Sequence, residues 1–266
     1  MRRLTTTAAC LLLSAWIAAP AWAAERSRWD WATGPSIYDQ EGKRDWRVEV
    51  APYAWLASIN GDIGVPAVGT IPVSATFSNL KDSLDGAFAG LLDIRYRRWH
   101  FISDNSWVRL KDSLDPDGAL FTGGSIEATV AFGTVGIAYE LPLNKSYSVD
   151  VLLGARWWYV FNDVTVSTSL PPGTFSGSIG EAWGDAVVGV RARYKITDRW
   201  RVSAQADIGG GEASLDWSLF VSGGYDFNDH VGLTLGYRIL GVDYNKDQFL
   251  YDVTQGGLLL GINLRY

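Results

Sequence analysis

The chain of 266 residues has one cysteine, one methionine and two histidines. The cysteine is Cys10, inside an N-terminal stretch that has the marks of an export signal, so the exported chain can form neither a disulfide nor a thiolate metal site. Beyond that stretch no segment reaches the roughly 18 consecutive apolar residues that a transmembrane helix needs, so any membrane crossing must be made by strands. Basic residues are in deficit, 23 Lys and Arg against 29 Asp and Glu, and the formal net charge is −6. Charges of both signs are interspersed, which excludes the basic stripe that a nucleic-acid partner would require.

The signal consists of Arg2 and Arg3, the apolar run AACLLLSAWIAA and the small-x-small site Ala21-Trp22-Ala23. The expected organisation is a signal peptide over 1–23, a periplasmic lead-in over 24–45 and one β domain over 46–266. No linker divides that domain. What is abundant is aromatic and glycine: 13 Trp, 12 Tyr and 29 Gly.

Segment after segment alternates with a period of two, the pattern of a strand with one apolar face. In RWRVSAQADIGGG, Trp200, Val202, Ala204, Ala206 and Ile208 alternate with Arg201, Ser203, Gln205 and Asp207. AVVGVRARYKI, SYSVDVLLGARWWYVF, LDWSLFVSGGYDF and HVGLTLGYRILGV behave alike. These runs last about 12 to 16 residues, against a globular mode of about 5 to 6. Tight connections (Arg97-Arg98, Pro142 to Lys145, Thr197-Asp198, Asn228-Asp229) take turns with longer ones (Asn60 to Asp85, Asp112 to Gly124, Asp163 to Ala182, Asn245 to Tyr251), GGGEA at Gly209 to Ala213 being the exception. Loop length sorted by end is the asymmetry of a barrel with short periplasmic turns and long external loops. The spacing predicts an all-β, closed antiparallel transmembrane barrel of about ten strands: 46–58, 86–98, 99–111, 125–140, 146–161, 183–196, 199–211, 213–227, 230–244 and 252–266. Twelve strands is the main alternative, with GTIPVSATFSNL supplying an additional one, and eight is the other.

Aromatics fall in two groups. Tyr96, Trp99, Tyr139, Tyr147, Tyr194, Trp200, Tyr225, Phe227 and Tyr266 sit at the short turns. Trp55, Trp107, Trp157, Trp158, Tyr159, Trp183, Trp217 and Tyr244 sit near the long loops, and both groups are expected to form interfacial girdles. The final strand carries Leu258, Leu260, Ile262, Leu264 and Tyr266 on one face to its last residue.

The export signal, the strand ladder and the terminal GLLLGINLRY resemble the small outer-membrane barrels of Gram-negative bacteria. VEVAPYAWLASINGDIGV, LDIRYRRWHFISDNSWV and LTLGYRILGVDY look like an uncharacterised proteobacterial family of that class. The resemblance implies an outer-membrane location, contact with outer-membrane lipid and lipopolysaccharide, and a terminal strand read by the barrel-assembly machinery. Tyr266 stands where phenylalanine is commoner. It implies no substrate, cofactor or oligomeric state.

If the apolar alternates face lipid, the residues between them face the lumen: Asp93, Arg95, Asp150, Arg156, Asp185, Arg191, Arg193, Arg201, Asp207, Asp216, Arg238 and Arg265. Two readings follow. Arg–carboxylate pairs across a narrow interior would close it as an ion-pair plug, or an excess of arginine would line a small anion-preferring pore. Enzymatic chemistry has little material. His100 and His230 both follow short turns, where a satisfied interfacial role is expected, and no G-x-S-x-G elbow is present. No cofactor or metal is expected. DSLDPDG lacks the spacing and terminal Glu of a calcium loop and reads as a solvated turn.

Overall fold

The computed structural model describes residues 45–65, 69–114, 121–143, 146–169, 172–246 and 249–266. The signal peptide, nearly all of the lead-in and most of DSLDPDG lie outside the described residues. Eleven strands form one antiparallel sheet: β1 (Trp46–Val65), β2 (Gly69–Ala75), β3 (Leu84–Tyr96), β4 (Trp99–Leu114), β5 (Phe121–Pro142), β6 (Tyr147–Ser169), β7 (Pro172–Lys195), β8 (Trp200–Gly211), β9 (Leu215–Asp226), β10 (Val231–Lys246) and β11 (Phe249–Arg265). Consecutive strands from β3 to β11 pair with one another, β3 pairs with β1, and β11 returns to β1 from Glu49↔Arg265 to Gly64↔Leu250. The sheet therefore closes on itself, as backbone groups in hydrocarbon require. β2 pairs only with the outer end of β1, from Ile59↔Ala75 to Val65↔Gly69. It is a hairpin extension rather than a stave, which leaves ten strands in the ring and removes the twelve- and eight-strand alternatives. After β2, GTIPVSATFSNL continues into a single helical turn, α1 (Phe77–Leu80).

The external connections are shorter than the sequence suggests. β4 and β5 stay paired out to Leu114↔Gly124, and β6 and β7 out to Ser169↔Pro172. The segments read as long loops at Asp112 to Gly124 and Asp163 to Ala182 are largely ladder. Apolar alternation ends where a strand leaves the lipid, whereas backbone pairing does not depend on it. β-branched VTVSTS opposite GTFSGS keeps pairing as a polar hairpin.

One seam in the wall is incomplete. The β1–β3 ladder runs from Trp46↔Tyr96 to Pro52↔Gly90, and no further β1–β3 pairs follow among the described residues. Pro52, whose missing N–H would face β11, interrupts the other ladder of β1 instead: among the described residues no β1–β11 pairs occur between Val50↔Leu264 and Tyr53↔Gly261. On β3 a bulge between Leu84 and Gly86 bends the strand towards β4. β1 takes β2 as its neighbour instead, and α1 lies over the junction, with Phe77 N donating to Ser58 Oγ at 3.3 Å.

The two faces separate as the period of two demands. On β11, Leu258, Leu260 and Ile262 are about half exposed, whereas Leu259, Asn263 and Arg265 are buried. The lower girdle is assembled from cross-strand pairs: Trp46 with Tyr96 at 4.6 Å, Trp99 with Tyr139 at 4.9 Å and Trp200 with Tyr225 at 4.9 Å. The upper girdle is smaller than expected. Trp157 and Tyr159 point outward, but Trp55, Trp158, Trp183 and Tyr244 pack inside the barrel.

Candidate functional site

The lumen is built in layers. In its outer half, side chains from opposite walls meet in an aromatic core. Trp158 on β6 stacks on Trp183 on β7 at 5.7 Å, and Trp183 stacks on Tyr244 on β10 at 4.1 Å. Tyr251 on β11 meets both indoles edge-on, at 6.1 and 6.0 Å. Phe132 lies 4.9 Å from Trp158, and Trp55 packs edge-on against Phe132. Leu240, Val242, Val253 and Val160 fill the remainder. Aromatic pairs of this kind add about 0.5–1.5 kcal/mol each beyond the area they bury.

Beneath this core is a charged layer. Arg156, 1% exposed, donates from Nη1 to Asp216 at 2.5 Å, from Nη2 to Asp207 at 2.7 Å and from Nε to Thr134 Oγ1 at 2.9 Å. The second Asp216 oxygen accepts from Trp158 Nε1 at 2.8 Å, which locks the charged layer to the aromatic one. Ser218 donates to Asp207, and Asp185 accepts from the Ala213 backbone N–H. Arg238 bonds Asp104 at 2.5 Å and the Tyr53 hydroxyl at 3.1 Å, with its guanidinium 5.8 Å from the Trp55 ring centre. Arg156 and Arg238 each have carboxylate partners and further hydrogen bonds, the condition under which buried ion pairs are tolerated.

Towards the short turns the network continues. Arg191 bridges Asp150 at 2.8 Å and Asp93 at 3.0 Å, and Arg193 takes the other Asp150 oxygen at 2.7 Å. His100 Nδ1 lies 2.8 Å from Asp93, and its Nε2 is 3.8 Å from Glu140, which also faces Arg95 at 3.6 Å. At the mouth Arg265 binds Glu49 at 2.7 Å and Asp226 at 2.6 Å, while Arg201 bonds Asp226, Asn263 and Thr234. Between the mouth and Arg238 lies a cavity of about 470 Å³.

All twelve sequence-predicted lumen charges thus lie on the inward face, and each takes part in a polar contact there. Their carboxylate partners Glu49, Asp104, Glu140 and Asp226 were not singled out from the sequence. Glu49, between Val48 and Val50, was legible by parity. Asp104 was not, because Ser103 and Asn105 beside it are also polar and no apolar face marks the strand. His100 is not interfacial as expected: it is 3% exposed inside the lumen, since it follows Trp99 on β4 and takes the opposite face. His230 stays in its turn, with Nδ1 3.0 Å from the Arg265 carbonyl oxygen. His100, Glu140 and Asp150 bring ligand-type atoms within 4.8 Å of one another. Arg191 and Arg193 already occupy both Asp150 oxygens, so guanidinium supplies the positive charge that a metal would bring.

No family model and no curated protein matches this chain. Among solved structures, the outer-membrane protease OmpT from Escherichia coli is 8% identical, with 83% of this chain and 96% of that chain covered, at a TM-score of 0.50. This chain has a closed antiparallel β-barrel fold like that protein's. At that identity the likeness to OmpT is one of fold. Ail, the attachment invasion locus protein of Yersinia pestis, is 13% identical over 83% of this chain and 98% of its own at a TM-score of 0.33, and an anion-selective porin from Comamonas acidovorans is 9% identical over the same shares at 0.28. The charged cavity opens at the end of the barrel that carries the short turns, and the aromatic core lies towards the other end.

Proposed function

We propose that this protein is a non-enzymatic barrel of the bacterial envelope whose lumen is closed. The observation that carries the reading is the cross-lumen core of Trp158, Trp183, Tyr244 and Tyr251, tied through Trp158 to the Arg156–Asp216–Asp207 layer. A water-filled path needs a continuous polar lining, and here rings from opposite walls are in contact. The arginines that would select anions in a pore, Arg191, Arg193 and Arg238, are held by carboxylates. Both histidines lie at the periplasmic end, remote from the external rim. In this reading outer-membrane lipid and lipopolysaccharide are the partners of the belt. The face formed by Leu258, Leu260, Ile262, Leu264 and Tyr266 is what the assembly machinery reads.

Liposome swelling tests the closure. Vesicles carrying the folded protein should swell in arabinose no faster than protein-free vesicles, whereas Trp158→Ala combined with Trp183→Ala should admit the sugar. Swelling with the wild-type protein would refute the closed lumen.

A further inference from the structure

We propose that the periplasmic half of the lumen is a binding site for a small polyanion, a molecule with two or more carboxylate or phosphate groups. The proposal rests on the closed-lumen reading in one respect: the cavity is a dead end rather than a segment of a channel. Three observations support it. The volume of about 470 Å³ falls within the range of about 300–1,000 Å³ typical of small-molecule sites. The lining itself holds nine Lys or Arg against six Asp or Glu, an excess of positive charge in a concave space that concentrates anions although the whole chain is acidic. Two residues of the lining, Arg238 and His100, each carry a buried nitrogen, Nε and Nε2, without a hydrogen-bond partner among the described residues.

The third observation points to a ligand rather than to a structural network. An unsatisfied buried donor costs about 1–3 kcal/mol, more when it is charged. Arg238 is 5% exposed at the roof, where Asp104 and Tyr53 engage its terminal nitrogens and leave Nε–H over. Asp150 and Glu140, behind the lining, hold Arg191, Arg193 and Arg95 and bring the balance to nine basic groups against eight acidic ones; the guanidiniums are fixed in orientation, so a bound anion would meet donors already in place. Access is from the mouth, where Arg199 is exposed and Arg201 is partly so. Gln205, Ser203 and Ser222 add neutral polar groups to the wall.

Calorimetric titration of the folded full-length barrel with citrate and with pyrophosphate tests the assignment, with arabinose as the neutral probe. Either anion should bind, more weakly as salt rises, and arabinose should give no heat. Arg201→Gln and Arg238→Gln should each weaken binding at least about tenfold. Lys246→Gln, on the opposite rim, should leave it unchanged. Arg201→Gln guards against misfolding of the roof variant, because its side chain is only partly buried. Absence of binding by both anions, or equal binding by Arg201→Gln and wild type, would overturn the proposal. If neither anion binds while vesicles stay impermeable, the site falls and the closed lumen stands. If anions bind while vesicles leak, the site stands and the closure falls.

Discussion

Arg156 sits with 1% of its side chain exposed between two aspartates whose side chains are 0% exposed. Replacing it with glutamine would leave Asp207 and Asp216, close together on the adjacent strands β8 and β9, without a counter-charge. Removing one partner of a buried pair costs about 3–5 kcal/mol. We expect Arg156→Gln to lower the unfolding free energy in lipid vesicles, measured by urea titration, by about that amount. Arg109, paired with Asp85 at the exposed outer end of β3, is the contrast. Its side chain and that of Asp85 are 40% and 38% exposed, so Arg109→Gln should cost less than about 1 kcal/mol. Which side chains face inward was readable from parity: Arg156 alternates with Ala155 and Trp157, Asp207 with Ala206 and Ile208. What those residues bond was not, because a partner 51 or 60 positions away is set by barrel curvature rather than by local pattern. The aromatic core was misassigned to a girdle although parity held the answer. Trp158 follows Arg156 by two and Trp183 precedes Asp185 by two, so both share the inward face.

Strands have a different logic, in which backbone pairing outlasts the hydrophobic pattern. The existence and order of the ten staves were legible because lipid imposes apolar alternation on each. The outer ends of β5, β6 and β7 were not, because beyond the lipid only ladder hydrogen bonds hold them. The β1–β3 seam is similarly hidden: neither the bulge between Leu84 and Gly86 nor the substitution of β2 for β3 as neighbour is visible in the sequence. The seam predicts a difference between two cysteine pairs placed in a Cys10→Ser background. Val50→Cys with Leu92→Cys lies within the ladder and should cross-link on oxidation. Ala54→Cys with Phe88→Cys, one repeat further out, should not, and equal cross-linking would mean that the strands zip fully in lipid. At the closing strand, Tyr266 exchanges both backbone hydrogen bonds with Val48, at 2.9 and 3.1 Å, while its ring is 74% exposed. Changing Leu264 and Tyr266 to aspartate places charge on the lipid side of that closure. The variant should reach the outer membrane in heat-modifiable form at well below the wild-type level.

For the molecule as a whole, a barrel of ten strands is wide enough that closure must be built from side chains. Two materials do this in sequence along the axis. The aromatic core fills the half away from the short turns, and the ion-pair layers occupy the half that opens at the mouth. In the proposed reading the barrel is asymmetric: sealed towards the outside and open as a charged cavity towards the periplasm. The central claim is the seal, and single-channel recording in a planar bilayer tests it most directly. The folded wild-type barrel should insert and give no discrete openings with either anion or cation gradients, whereas Trp158→Ala with Trp183→Ala should produce them. Steady openings by the wild type that shrink when Arg191 or Arg193 is neutralised would contradict the account and make the same arginines the selectivity path of a small pore.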